Sequence, residues 1–197
     1  ALGSSRLDAL ILTHYHTDHA CGVPELLSRL KVSHLILPNV APEDPLRQEI
    51  LELAEVSGCK VHLLVDDSQF SFGAAVLSIY APLGDGGANE EGLSMLCTVG
   101  DYDVLVTGDM NDVVERRLIR YQSLPDIELL VVGHHGSKDS TSEDLLLITR
   151  PERAVISSGY NSYGHPAPET LERLGAAGCD IYLTDRMGTV TFTIKGE

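Results

Sequence analysis

Four side chains of types that bind metal ions fall within six residues near the beginning of the chain. Residues 14–19 read HYHTDH and directly follow an apolar run that predicts a strand. In an extended segment, side chains two residues apart point the same way, so His14 and His16 can reach one ion. Asp18 and His19 lie at the turn into the next helix and can reach a second ion. The spacing predicts two metals, and the alternative is a polar loop that happens to be rich in histidine.

Two further clusters of candidate ligands follow later apolar runs. Gly108 and Asp109 come directly after one run, which puts a carboxylate at the end of a predicted strand. His134 and His135 follow the next run in the same way. Taken alone, Asp109 could cap the following helix, and a histidine pair is a weak signal. Taken with the first segment, these residues complete a set of ligands suited to two metal ions.

The composition limits the kinds of protein this chain can be. It has 197 residues, of which 43% are apolar and 22% charged, which excludes collagen, coiled coils and disordered chains. Lysine and arginine number 14 against 29 aspartates and glutamates, giving a net charge of -15. This balance argues against a broad phosphate-binding face. An anionic substrate therefore needs a local cation, and a bound metal supplies one most simply.

The spacing of the cysteines and the hydropathy of the chain indicate whether it contains a metal-binding cysteine pair, a membrane span or a signal peptide. The four cysteines form no Cys-x-x-Cys pair, so ordinary buried thiols are expected. No apolar run reaches the roughly 18 residues that a membrane span requires, and the amino end lacks the features of a signal peptide. A soluble chain is expected from these observations.

Short apolar runs rich in Val, Ile and Leu alternate with amphipathic stretches, which predicts an α/β (α+β) fold with helices covering central sheets. Ten runs are predicted as strands: residues 9–13, 35–37, 61–65, 75–80, 93–99, 103–107, 127–133, 154–158, 180–184 and 190–194. Helices are predicted after Pro24, over residues 45–56, after Asn111 and from Pro168. The three clusters of candidate ligands therefore lie in loops at the ends of strands.

These motifs resemble those of the metallo-β-lactamase superfamily, whose HxHxDH signature residues 14–19 match. Five later segments are similar to the carboxy-terminal domain of the ComEC-like group of competence proteins. They are LVTGDM at 105–110, HHGSK at 134–138, SSG at 157–159, NSYGHP at 161–166 and TDRMG at 184–188. The resemblance implies an αββα sandwich and a metal-dependent hydrolase of phosphodiester bonds.

The resemblance also implies roles for individual residues. The metal ligands it implies are His14, His16, Asp18, His19, Asp109 and His135, with Asp109 bridging two ions. The catalytic residues it implies are Asp18, Asp109 and His165. The substrate-binding residues it implies are His134, Asn161 and His165. Ser137 and Lys138 are added as substrate-binding residues because they precede a helical run whose free amides, with the lysine, could hold an anion, the alternative being solvated loop residues. His165 would contact the phosphate or protonate the leaving oxygen. The sequence leaves open which of His134 and His135 coordinates, and His135 is favoured.

The chain departs from the superfamily pattern in two respects. Only eight residues precede the first predicted strand, so we expect a hydrolase domain over residues 1–197 that lacks the first strands of its sandwich. Many superfamily enzymes bring another histidine ligand from the interval before the Asp motif. That interval contains His34 and His62, and both are expected in or beside strands rather than at the metals. An open coordination position would leave room for water and a phosphate oxygen.

The functional hypothesis is the nuclease domain of a ComEC-like DNA-uptake protein. It would use two divalent ions, zinc or manganese, and act on DNA as a single strand or a duplex end. The resemblance further implies a membrane protein in full length, with this domain outside the cytoplasm. One alternative is a hydrolase of small phosphodiesters or a lactamase-like enzyme, which the charge of -15 favours. Another is a metal-stabilised module that binds DNA or a partner without cutting.

Overall fold

The structure is a computed structural model that describes residues 5–84 and 91–193. The strands β1 to β10 span Arg6–Ile11, Lys31–Pro38, Lys60–Leu64, Ser68–Phe72, Ala75–Tyr80, Ser94–Val99, Tyr102–Val106, Leu129–Val131, Arg153–Ile156 and Asp180–Leu183. The helices α1 to α7 span Thr17–Ala20, Val23–Arg29, Pro45–Ser57, Asp112–Tyr121, Glu143–Thr149, Pro168–Ala176 and Thr184–Met187. The α/β class predicted from the sequence is confirmed.

The chain divides into two compact units, each described here by itself. The first unit comprises Ala1–Ser68 and Tyr80–Leu93, and the second comprises Gln69–Ile79 and Ser94–Glu197. The expectation of one hydrolase domain over residues 1–197, incomplete at its amino end, stays a prediction. Within the described ranges, no helix is both long and apolar enough to cross a bilayer.

The first unit is built on three parallel strands in the order β1-β2-β3. Helices α2 and α3 pack together, and a buried cluster that includes Leu35, Leu37 and Ile50 fills its core. The ends of α3 explain its length, because Asp44 accepts hydrogen bonds from the amides of residues 46 and 47, and Gly58 adopts a left-handed φ of 69°. This framework holds the loop that follows β1.

The second unit is built on a seven-stranded sheet in the order β10-β9-β8-β7-β6-β5-β4. Strands β7 to β10 run parallel, whereas β6 pairs antiparallel with β7. The carboxyl ends of parallel strands lie at the same edge of a sheet. The loops after β7, β8 and β9, which begin at residues 107, 132 and 157, therefore meet at one edge of the unit.

Nine of the ten predicted strands overlap observed strands. The predicted strand at 190–194 is wrong over residues 190–193, which carry no strand, and Ile194 lies outside the described residues. Strand β4 was not predicted, because its sequence SQFSF lacks the Val, Ile and Leu on which the prediction relied. Its rings Phe70 and Phe72 stack along one side of the strand, with centroids 6.5 Å apart.

Candidate metal centre

The HYHTDH segment in the first unit forms the first ligand set, His14, His16, Asp18 and His19. Residues 12–16 leave the end of β1 in a loop, and α1 carries Asp18 and His19 in its first turns. Tyr15 is buried, and its hydroxyl donates a hydrogen bond of 2.8 Å to the carbonyl oxygen of Pro38. This anchor fixes the loop between His14, which is also buried, and His16, which is partly exposed.

The four side chains of the first ligand set are close to one another. The ring centroid of His14 lies 4.8 Å from that of His16 and 4.1 Å from that of His19. The Nε2 atom of His19 lies 3.9 Å from Oδ2 of Asp18. Two ligand atoms on one tetrahedral zinc are about 3.4 Å apart, so this pair fits a shared ion after a small adjustment.

The second ligand set lies in the second unit and comprises Asp109, His134 and His135, with His165 beside it. Asp109 follows β7 and is only 4% exposed. Gly108 has a left-handed φ of 60° just before it, which a glycine adopts without steric cost. The Nε2 atom of His134 lies 3.8 Å from Oδ2 of Asp109. A buried carboxylate beside an imidazole is the arrangement expected where a cation binds.

His135 makes a hydrogen bond that fixes its tautomer. Its Nδ1 lies 2.8 Å from the carbonyl oxygen of Ser157, at the start of the loop after β9. A carbonyl oxygen can only accept, so Nδ1 carries the proton and Nε2 carries the lone pair. Histidines that bind metals usually donate their other ring N–H in this way. The contact favours His135 as the metal ligand, as the sequence did.

The histidine pair adopts a backbone conformation that few residues tolerate. His134 and His135 have left-handed φ values of 47° and 53° within a 3-10 turn over Gly133–Gly136. Gly133 lies against the loop after β7, where a Cβ atom would come 2.9 Å from Oγ1 of Thr107. Strained conformations of this kind cluster at functional sites, where surrounding contacts hold them.

Sequence reasoning missed Glu115, a buried carboxylate in α4 that supports the loop after the histidine pair. Glu115 is fully buried, and its oxygens accept hydrogen bonds of 2.6 and 2.7 Å from the amides of Thr141 and Ser142. Burial raises the pKa of this carboxyl group. These two amides are therefore engaged by Glu115 rather than available to an anion. The signal in the sequence was a charged residue beside Val114 on the buried face of α4.

Arg173 of α6 binds carbonyl oxygens of the same loop. Its guanidinium donates hydrogen bonds to the carbonyl oxygens of Lys138, Ser140 and Thr141 at 2.8 to 3.1 Å. Ser137 is buried, and its carbonyl accepts a hydrogen bond of 2.8 Å from Thr170. The Nζ atom of Lys138 is exposed and lies 3.4 Å from Asp139. The substrate-binding roles of Ser137 and Lys138 stay predictions.

His165 lies beside the second ligand set. Its ring centroid lies 5.6 Å from that of His134, and its Nδ1 is buried and makes no hydrogen bond to any residue in the described ranges. Burial, with the charges of His134 and His135, lowers the pKa of His165. Asn161 binds the backbone of His165 at both the amide and the carbonyl. Its predicted contact with substrate stays a prediction.

The donor atoms of both sets suit a divalent transition metal. Imidazole nitrogens favour zinc, iron and related ions, and carboxylate oxygens add the harder ligands that manganese accepts. The lone pair that the contact with Ser157 leaves on Nε2 of His135 fits such an ion. Within each unit, the ligand set therefore fits the divalent metal cofactor that the sequence predicted.

Comparison with known proteins identifies relatives and a shared fold. The model of the metallo-beta-lactamase superfamily matches residues 1–160. ComE operon protein 3 of Bacillus subtilis (strain 168) is 32% identical over all of this chain and 26% of its own length. Competence protein ComA of Neisseria gonorrhoeae is 29% identical over 98% of this chain and 26% of its own length. The chain thus spans about a quarter of these relatives.

A solved structure shares the fold at low sequence identity. CmlA, a diiron β-hydroxylase from Streptomyces venezuelae, superposes with a TM-score of 0.63 and 15% identity. The match covers 91% of this chain and 43% of CmlA. The likeness concerns the fold, since identity at this level carries no information on substrate.

Proposed function

We propose that this chain, which belongs to the metallo-β-lactamase superfamily, cuts phosphodiester bonds of DNA with the help of two divalent metal ions. The chain has the fold of the superfamily's metal-dependent hydrolases and is homologous to competence proteins, which confirms the resemblance drawn from its motifs. We propose in addition the identity of its substrate and the number of its metal ions.

The feature that carries the proposal is the group formed by Asp109, His134 and His165 in the second unit. The buried carboxylate of Asp109 lies 3.8 Å from Nε2 of His134, and the ring centroid of His134 lies 5.6 Å from that of His165. This group combines a carboxylate able to bind a cation with an imidazole able to exchange a proton. Hydrolysis of a phosphodiester needs both, because charge develops on the phosphoryl oxygens and on the leaving oxygen.

We assign the metal ligands as His14, His16, Asp18, His19, Asp109 and His135. The assignment of both ligand sets to one pair of ions rests on the order of the motifs along the chain. Divalent ions held by these residues would polarise the phosphoryl group and lower the pKa of a water molecule to roughly 7. Asp109 and Asp18 serve as anionic ligands that also orient the reacting groups.

We assign His165 to the protonation of the leaving oxygen. Its pKa lies below the ordinary histidine value, so the imidazole is mostly neutral at pH 7, and in its protonated form it is a stronger acid than a free histidine. Asn161 holds the backbone of this residue, which keeps the imidazole beside His134. His134 would then face the phosphate, since the carbonyl of Ser157 orients His135 as a ligand.

We further propose that the chain acts as the nuclease domain of a longer DNA-uptake protein, on the outer side of a membrane. The support is that it aligns with about a quarter of proteins named for competence. A hydrolase of small phosphodiesters is the second candidate, because a net charge of -15 repels a long polyanion.

A cleavage assay distinguishes these functions. The chain loaded with manganese or zinc is incubated with labelled single-stranded DNA, duplex DNA and bis(p-nitrophenyl) phosphate. We expect cleavage of DNA that Asp109→Asn abolishes and that His62→Gln, which changes a histidine outside the ligand sets, leaves intact. Cleavage of the small ester without any DNA product would establish the second candidate. DNA binding without cleavage of any substrate would refute hydrolysis altogether.

A further inference from the structure

The loop after β9 exposes two aromatic rings beside His165. Tyr160 is fully exposed and Tyr163 is 83% exposed, although tyrosine usually buries most of its ring. Both lie in the second unit, within residues 159–165. Each ring offers a flat, apolar surface to solvent, and Tyr163 lies next to the residue that we assign to the leaving group.

Asn161 fixes the shape of this loop. Its side-chain Nδ2 donates hydrogen bonds to the carbonyl oxygens of Gly159 and His165, at 2.9 and 2.7 Å. Its Oδ1 accepts from the amides of Tyr163 and His165, at 3.1 and 3.0 Å. A single side chain thus ties together the residues on either side of both tyrosines. The rings are presented from an ordered loop, which reduces the entropy lost when a ligand binds them.

The start of the loop is anchored as well. The amide of Ser158 donates a hydrogen bond of 2.9 Å to Oγ1 of Thr184, and that hydroxyl donates to the carbonyl oxygen of Ser158 at 2.8 Å. Thr184 begins α7 directly after β10. This contact joins the SSG segment to the TDRMG segment.

Tyr163 is the exposed tyrosine that lies beside His165. Its ring lies nearly parallel to the imidazole of His165, with an interplanar angle of 20° and centroids 6.1 Å apart. Tyr163 is thus close to His165 while 83% of the residue is exposed to solvent. A flat group stacked on Tyr163 would lie near His165.

A nucleic acid that binds this surface must gain affinity without many contacts to basic side chains. The chain carries 14 basic against 29 acidic residues, so contacts to a phosphate backbone contribute little over most of its surface. Stacking of bases on aromatic side chains is independent of charge and tolerates every base. Bases inside a duplex are already stacked and offer their faces only after unpairing. The surface therefore fits unpaired bases better than a duplex.

We propose that Tyr160 and Tyr163 form a stacking platform that binds the unpaired bases of a nucleic-acid strand beside the phosphodiester presented to His165. The position of the scissile phosphate rests on the proposed function, whereas the binding of bases does not. The platform makes single-stranded DNA, or the frayed end of a duplex, the preferred substrate of this site.

Binding is measured without metal, so that cleavage plays no part. Fluorescently labelled oligonucleotides are titrated with the chain in EDTA: a single strand, its duplex, and a single strand with abasic tetrahydrofuran units in place of every nucleoside. We expect the base-bearing single strand to bind about tenfold more tightly than the abasic strand. Tyr160→Ala and Tyr163→Ala should remove that preference, while Tyr160→Phe and Tyr163→Phe retain it.

Two controls make the test specific. Tyr121→Ala removes an exposed tyrosine of α4 outside the loop and should change no affinity. Tyrosine fluorescence reports stacking directly, because the chain has seven tyrosines and no tryptophan. Base-bearing strands should quench it in the wild type and less in the double alanine variant.

Three results would overturn the platform. They are equal affinity of the wild type for base-bearing and abasic strands, an unchanged preference in the alanine variants, and a preference for the intact duplex. A change in oligomeric state on mutation would identify the surface as a contact between chains instead. If the platform binds bases but the loaded chain cuts no DNA, the proposed nuclease function fails while this inference stands.

Discussion

Gly136 and Pro166 touch so closely that only a glycine fits at position 136. A Cβ atom built on Gly136 would lie 2.7 Å from Cβ of Pro166, and Gly136 has a left-handed φ of 84°. The carbonyl oxygen of Gly136 also accepts a hydrogen bond of 2.8 Å from the amide of Ala167. The HHGSK and NSYGHP motifs are thus packed together, which keeps His134 beside His165.

The first prediction is that Gly136→Ala destabilises the fold by about 2–4 kcal/mol, because it adds a steric clash to a strained φ. Gly178→Ala is the matched control, since Gly178 has a φ of 80° and open space around its Cα. It should cost about 1 kcal/mol from backbone strain alone. Urea unfolding of both variants measures the difference, and equal losses would show that the contact with Pro166 contributes nothing.

Much of the candidate site was predictable because its residues follow strands. The ligand clusters at 14–19, 109 and 134–135 lie in loops after β1, β7 and β8, as the apolar runs indicated. The sequence could not show what holds these loops. Glu115 and Arg173 act on backbone amides and carbonyls about 25 and 33 residues away in sequence, and such contacts leave no periodic pattern.

The same limit applies to the tyrosines and to part of the fold. Tyr160 and Tyr163 read as ordinary loop residues until their exposure and the ring of His165 are seen together. Strand β4 was not predicted because it combines Ser and Gln with Phe instead of with aliphatic residues. The sequence therefore predicted features that depend on one segment, and it missed the features that depend on contacts between distant segments.

A second prediction concerns the support of the loop by Glu115. Glu115→Gln should destabilise the protein by about 1–3 kcal/mol, because an amide side chain presents only one acceptor oxygen to the two amides of Thr141 and Ser142. Glu172→Gln, an exposed change in α6, should leave stability unaltered. Denaturant unfolding gives both values, and a stable Glu115→Gln protein would mean that one acceptor suffices.

A third prediction uses the hydrogen-bonded pair of His34 and His62, whose Nδ1 and Nε2 atoms lie 3.0 Å apart. Burial, with the charges of His34 and Lys60, lowers the pKa of His62 in the folded state. The unfolded chain then binds the proton more tightly, so stability is present above about pH 6.5 and is lost as the pH falls below it. His62→Gln should flatten that dependence in urea unfolding between pH 5 and 8. An unchanged slope would contradict the assignment to His62.

A fourth prediction separates binding from turnover at His165. His165→Ala should lower kcat on DNA by about 10²–10⁴-fold, the usual loss for a proton-transfer residue, with little change in KM. Asn161→Ala should act in the same direction, because it releases the backbone of His165. A parallel rise in KM with normal kcat would instead assign His165 to binding.

The last prediction decides between the two histidines of the second ligand set. The wild-type chain, loaded with zinc or manganese and desalted, should hold about two ions by mass spectrometry of the metals. His135→Ala should reduce that content toward one ion, because the contact with Ser157 prepares Nε2 of His135 to coordinate. His134→Ala should keep both ions and slow cleavage, since His134 neighbours both Asp109 and His165. The opposite pattern would make His134 the ligand, and fewer than one ion in the wild type would refute a dinuclear centre.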